Sequence, residues 1–129
     1  MIEYRVRPPL DNETLHGLFS ASWDEHDRRD FGAILSRSLL YVAAFEGDRL
    51  VGFVNVATDG GEHAFLLDTT VHPDFRRRGI GTQLVRRASE LAHRHGANWL
   101  HVDFEPVLSD FYFKSCGFQP TAAGLIRLR

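Results

Sequence analysis

The residues with the most chemical content run from Phe75 to Thr82, in the order Phe-Arg-Arg-Arg-Gly-Ile-Gly-Thr. Arg76, Arg77 and Arg78 offer three guanidinium groups able to pair with phosphate oxygens. Gly79 and Gly81 lack Cβ atoms, so a ligand can approach the backbone closely and φ can turn positive. The residues that follow have the strongest helical pattern in the chain. Ile80, Leu84, Val85, Ala88, Leu91 and Ala92 fall on one stripe, and Gly96 stands where a C-terminal cap belongs. A helix start leaves its first N–H groups without intrahelical partners and carries partial positive charge. The segment therefore reads as a cradle for a compact anion such as a phosphate. No Gly-Lys-Ser/Thr ending follows, which excludes a nucleoside-triphosphate loop. The dinucleotide fingerprint is excluded too, because it needs three glycines after the first strand of a doubly wound unit. A basic turn facing solvent is the competing explanation of the same residues.

The bulk numbers narrow the setting. The chain has 129 residues, a net charge of −2 and 43% hydrophobic residues, as expected of a soluble globular domain spanning residues 1–129. Near neutrality argues against nucleic acid as a partner, although the charge is uneven. Six arginines (76, 77, 78, 86, 87 and 94) lie between His72 and Gly96 against Asp74 and Glu90, whereas Trp23 to Asp30 holds four acids. One cysteine, Cys116, allows no internal disulfide and fits a reducing compartment. Charges at Glu3, Arg5 and Arg7 leave no signal-peptide core, and no apolar run is long enough to span a bilayer. The expectation is a cytoplasmic protein with no membrane partner. The seven histidines show no metal-ligand spacing, so no metal is expected.

These residues need elements to position them. Met1–Val6 predicts an opening strand ended by Pro8-Pro9. Asp11 or Asn12 can cap a helix carrying Leu15, Leu18 and Phe19, and Phe31, Ile34 and Leu35 mark a second short helix after a charged loop. Leu39–Phe45 and Leu50–Thr58 predict a hairpin around Glu46-Gly47-Asp48-Arg49, and Ala64–Val71 a third strand of the same meander. After the arginine-loop helix come a strand over 98–104 and a last helix opened by Pro106 and closed by Gly117. Phe118–Thr121 and Leu125–Leu128 suggest two short tail strands. The strand–helix–strand piece should pair its strands in parallel with a right-handed crossover. The fold class is α/β of the mixed α+β kind, a mostly antiparallel central sheet flanked by about four helices.

The run Val71-His72-Pro73-Asp74-Phe75-Arg76-Arg77-Arg78-Gly79-Ile80-Gly81 resembles the acyl-CoA signature of the GNAT acetyltransferase superfamily, Arg/Gln-x-x-Gly-x-Gly/Ala. The order of elements and the Cys116-Gly117-Phe118 ending resemble that family across essentially the whole chain. The resemblance implies that backbone amides from about Arg78 to Thr82, Ile80 included, hold the pyrophosphate of acetyl-CoA. It implies that the strand ending at Val71 splays from the strand over 98–104, with the pantetheine arm bonded to Val71 main chain. It further implies direct transfer of an acetyl group from acetyl-CoA to a primary amine acceptor. A CoA-binding sensor or interaction module with little catalysis is the alternative. Relatives pair through their C-terminal strands, so a homodimer is an assembly the resemblance admits.

The family also places a tyrosine on the last helix, four residues before the glycine of its Gly-Phe ending, as proton donor to the departing thiolate. Phe113 holds that place in this chain, and Tyr112, the candidate acid, comes one residue earlier. One residue turns an α-helix by ~100°. Either the helix end is distorted and returns Tyr112 to the pocket, or Tyr112 is core and water protonates the thiolate. Asp68 stands where relatives carry an acid and is the candidate base, with a plain strand residue as the alternative. His101 and Asp103 alternate on the fifth strand, so both face one side. Asp24, Glu25 and His26 fall in the loop that overhangs the acceptor in the family. Cys116 reads as a small buried thiol and not as a nucleophile.

Overall fold

The computed structural model describes residues 1–23 and 28–129. Asp24, Glu25 and His26 thus lie outside the described residues. The elements are β1 (Ile2–Val6), α1 (Asn12–Ser22), α2 (Phe31–Arg37), β2 (Leu40–Glu46), β3 (Arg49–Thr58), β4 (His63–Val71), α3 (Ile80–Arg94) and β5 (Trp99–His101). A 3₁₀ turn at Pro73–Phe75 leads into the arginine loop, and the last helix contains a 3₁₀ turn at Pro106–Leu108 and a π turn at Phe111–Ser115. The five strands lie in the order β1-β2-β3-β4-β5, antiparallel up to β4 and parallel between β4 and β5.

Two apolar clusters sandwich the sheet. Val42, Ala44, Val54, Val56, Ala64 and Leu66 meet Ile80, Leu84, Val85 and Ala88 of α3 on one face. On the other face Ala43, Phe45 and Phe53 meet Leu15, Leu18 and Phe19 of α1 and Phe31 and Leu35 of α2. Strands covered on both sides need apolar residues on both sides, which explains why β2 and β3 are nearly continuous apolar runs. The helices begin where their caps place them. Asp11 accepts the Thr14 N–H at 2.8 Å, and Asp30 accepts the Ala33 N–H at 3.3 Å. Asn12 accepts the Phe31 N–H at 2.8 Å, tying the start of α1 to the start of α2.

Gly52 decides how closely α3 approaches the sheet. A Cβ at that position would lie 3.0 Å from Leu84 Cδ1, 3.2 Å from Ile80 Cγ2 and 3.3 Å from Ala44 Cβ. Its absence lets the first turns of α3, and with them the arginine loop, sit directly against β3.

A bulge in β4 opens the site. Phe53 pairs with Thr70 and Asn55 with Leu67, so Asp68 and Thr69 together oppose Val54. Asp68 takes a left-handed backbone, φ 58°. The extra residue bends and twists the strand. Pairing with β5 accordingly stops at Phe65–His101. This accounts for the first departure from the sequence-based expectation: the fifth strand covers Trp99–His101 and not 98–104, because its partner has turned away. The two tail strands are not formed either. Residues 118–129 run without strand pairing, with Leu125, Ile126 and Leu128 exposed.

Candidate active site

Where β4 and the chain after β5 diverge lies a cleft of about 550 Å³. Val71, Arg76, Arg77, Gly79, Ile80, Gly81, Thr82 and Tyr112 all line it. At one end is the start of α3. Gly79 is its N-terminal flank in the left-handed region, φ 78° and ψ 8°, and no side chain caps the helix. The Gly79 carbonyl accepts the Gln83 N–H at 3.1 Å. The earliest N–H groups of α3 therefore face the cleft without a side-chain partner, as an anion cradle requires. A Cβ on Gly79 would meet nothing within 4 Å, so this is the open side of the cradle. Gly81 serves a different purpose. A Cβ there would come 3.1 Å from two ring carbons of Phe111, so the glycine lets the last helix close over the loop.

The three arginines divide. Arg77 holds a positive φ of 64° and lines the cleft. Arg76 lines it too, and its Nη2 donates to the Ser22 carbonyl at 3.2 Å, joining the loop to the C-terminal end of α1. Arg78 turns its guanidinium onto the Phe75 ring, 4.8 Å from the centroid, with Arg49 over the same ring at 5.2 Å. The structure does not bring the Arg78 side chain into the cleft lining.

At the other end is Tyr112, buried in an aromatic cage. Its ring stacks on Phe104 at 4.6 Å and meets Phe111 and Phe118 edge-on. The π turn explains how it gets there. The Cys116 N–H donates to the Phe111 carbonyl at 3.0 Å and the Phe118 N–H to the Tyr112 carbonyl at 3.0 Å, wider loops than an α-helix makes. One such turn absorbs one extra residue, which cancels the one-residue offset of Tyr112 from the closing glycine. Of the two outcomes open from sequence, the helix end is the distorted one. Burial pushes the phenol above its ordinary pKa of 10.0; the nearby Thr69 hydroxyl works against this, and the charges of Cys116 and Asp103 add to it. A phenol held protonated is a proton source at neutral pH.

Asp68, the other expected catalytic group, is not in the cleft lining. Its carboxylate lies 3.7 Å from Arg29, whose guanidinium sits over Phe31 at 5.0 Å. The bulge brings Thr69 and Thr70 into the lining instead. Sequence reasoning did not single them out; the visible signal was the break in period-two alternation at Asp68-Thr69-Thr70. Ser22, Phe75, Leu108 and Phe111 also line the cleft; Phe75 was read as part of the arginine loop, Leu108 and Phe111 as residues of the last helix, and Ser22 was not singled out. Beside the bulge Asn55 is 2% exposed, and its Oδ1 has no hydrogen-bond partner among the described residues.

Cys116 is half-buried, and burial pushes its thiol up from 9.0 to about 11. A thiol so shifted is not a nucleophile at neutral pH. The shift also has a sign for stability. Between about pH 9 and about pH 11 the unfolded chain has lost this proton while the folded chain keeps it, so unfolding gains. Thermal midpoints should therefore fall as pH rises through that window, with Tyr112 and Tyr4, both raised by burial, contributing at its upper end. The C116A protein should show a shallower fall across the same pH series. Equal slopes would show that the thiol does not titrate as its burial implies.

A mixed sheet with a splayed parallel pair, an uncapped helix start and a buried phenol facing it across one cleft describes an acyl-CoA-type transferase site. Residues 10–118 match the Acetyltransferase (GNAT) family, and the chain belongs to that family. It is similar to the mycothiol acetyltransferase of Mycolicibacterium vanbaalenii, 35% identical over 79 residues, covering 61% of this chain and 25% of that protein. The chain spans a quarter to a third of the length of such mycothiol acetyltransferases. Its fold matches a GNAT-family acetyltransferase from Streptococcus pneumoniae with a TM-score of 0.83 at 25% identity, covering 100% of this chain and 98% of that one. The fold also matches an aminoglycoside N-acetyltransferase solved in complex with CoA, with a TM-score of 0.77 at 20% identity over 100% and 95% of the two chains. Among the described residues no helix is long and apolar enough to cross a membrane, and no group of three or more side chains could hold a metal ion.

Proposed function

We propose that residues 1–129 act as one N-acetyltransferase domain that moves the acetyl group of acetyl-CoA to a primary amine. The observation that carries this reading is the uncapped start of α3 behind left-handed Gly79, facing Tyr112 across a single cleft. The helix-start N–H groups, with Arg76 and Arg77, receive the pyrophosphate. The Val71 edge beyond the last β4–β5 pair is free to bond the pantetheine amides, as an added strand would. Acetyl-CoA then presents its thioester near the phenol. A neutral amine nitrogen attacks the carbonyl carbon, the C–N bond forms as the C–S bond breaks, and the nitrogen's proton leaves to water. Tyr112 donates its proton to the departing sulfur and regains one from solvent. Asp68, tied to Arg29, has the weaker claim as base.

Two further points belong to this reading. A cytoplasmic setting is supported by the single thiol, Cys116. A homodimer is supported by the unpaired outer edge of β5 and the exposed apolar tail at Leu125, Ile126 and Leu128. Light scattering after size exclusion reads the mass, and a monomer at all concentrations would sink the dimer.

Thermal unfolding with acetyl-CoA, CoA and ATP tests the central claim. Saturation at ~100 times the dissociation constant adds ~2.7 kcal/mol, a shift of several degrees. Acetyl-CoA and CoA should shift the midpoint and ATP should not. No shift with any CoA species at millimolar concentration would overturn the assignment. A shift without acetylation of any amine would favour the binding-module alternative.

A further inference from the structure

On the face opposite α3, helix α1 contacts β4, but Phe65, Leu67 and Trp99 of the β4–β5 pair stay exposed. Ala64 and Leu66 belong to the core under α3, so His63, Phe65 and Leu67 point the other way. Leu100, Val102 and Phe104 pack on that same core, so Trp99, His101 and Asp103 share the opposite face. The result is an aromatic strip. Phe65 is 47% exposed and Trp99 65% exposed. His101 stacks on Phe65 with centroids 4.7 Å apart and an interplanar angle of 20°. A 2.7 Å hydrogen bond between His63 Nδ1 and His101 Nε2 fixes that imidazole flat against the ring.

The strip lies on the same two strands as the site already described, although its own residues are not part of the cleft lining. It runs along the strands to the point where they part, Phe65–His101, and the gap beyond that pair is the cleft holding Thr69 and Tyr112. Asp103 stands at this inner end, near enough for its charge to act on the Tyr112 phenol. Asp68 is already paired with Arg29.

We propose that this strip is the acceptor subsite, with Asp103 receiving the amine and Phe65, His101 and Trp99 receiving a planar apolar body, so that the acceptor is an arylalkylamine. The inference rests on the acetyl-transfer reading above. One carboxylate beside a flat aromatic surface matches one cation on a flat ring. A polyamine or an aminoglycoside, with several separated charges and little apolar area, gains nothing from the stack.

The test uses Trp99 as its own reporter. The chain has two tryptophans, and W23F leaves Trp99 alone while keeping a ring on Phe19. With CoA bound, 2-phenylethylamine should quench Trp99 with a dissociation constant at least about ten-fold below those of spermidine and kanamycin. Acetylation by the wild-type protein should follow the same order in kcat/KM. F65A and D103N should each weaken phenylethylamine by about ten-fold while leaving acetyl-CoA affinity unchanged. Spermidine or kanamycin as the better acceptor would overturn the proposal. So would a Trp99 signal that ignores phenylethylamine and responds to dilution or to removal of residues 122–129, because the strip would then be covered by this chain's tail or a second copy. A thermal shift with acetyl-CoA separates the cases: if it persists, only the acceptor assignment falls, and if it is absent the transferase reading falls with it.

Discussion

Replacing Gly79 with valine is expected to weaken acetyl-CoA binding by roughly a hundredfold or more while leaving the protein folded. Gly79 sits at φ 78°, a region that costs an L-residue about 1–2 kcal/mol and a β-branched one more. In the ligand-free variant the loop relaxes out of that conformation, and binding must restore it. The isopropyl group would also occupy the open side of the cradle, where a Cβ meets nothing within 4 Å. Losing one charge-assisted hydrogen bond to a phosphate adds about 1.5–3 kcal/mol. Together these give about 2.5–5 kcal/mol, or roughly two to four orders of magnitude in affinity. Calorimetric titration of CoA and acetyl-CoA reads the loss. The ligand-free thermal midpoint should move little, because the side chain projects into open space. An unchanged dissociation constant would mean that the helix start is not the phosphate site.

Gly79 also shows what kind of feature a sequence carries openly. The arginine loop was legible because its chemistry is local: glycines, cations and a helix start occupy consecutive positions. The meander was legible for the same reason, since strands covered on both faces must be apolar throughout. Asp68 was less legible. Its type and strand position suggested a base, but a bulge depends on how two strands register, and the bulge turned Asp68 toward Arg29 and brought Thr69 into the cleft. Arg78 could not be told from Arg76 and Arg77 by type. What separates them is Phe75, which holds Arg78 by its guanidinium. The shortened β5 follows from the same bulge, which no property of residues 98–104 announces. The unpaired tail is a case of period without partner: Leu125, Ile126 and Leu128 have strand character, but no neighbouring strand takes them up.

Tyr112 is where local and non-local information meet, and the second large effect is expected there. Y112F should lower kcat by about a hundredfold, the low end for a general acid, because a thiol leaving group with a pKa of ~8.5 departs tolerably unaided. The ring contacts to Phe104, Phe111 and Phe118 survive in phenylalanine, so acetyl-CoA affinity and the thermal midpoint should stay close to wild type. The pH profile gives a sharper signature. The acid works only while protonated, and its pKa is raised from 10.0, so wild-type kcat should hold through neutral pH and fall only above pH 10. That limb should be missing in Y112F. An unchanged kcat would make Tyr112 a core residue whose proton is not used. Deleting Lys114, an exposed residue within the π turn, separates the phenol's chemistry from its placement. Without the extra residue the helix closes as an α turn with Tyr112 four residues before the glycine, so the deletion should keep the phenol in the pocket and hold kcat near wild type, and a loss as large as that of Y112F would mean that the π turn itself places Tyr112.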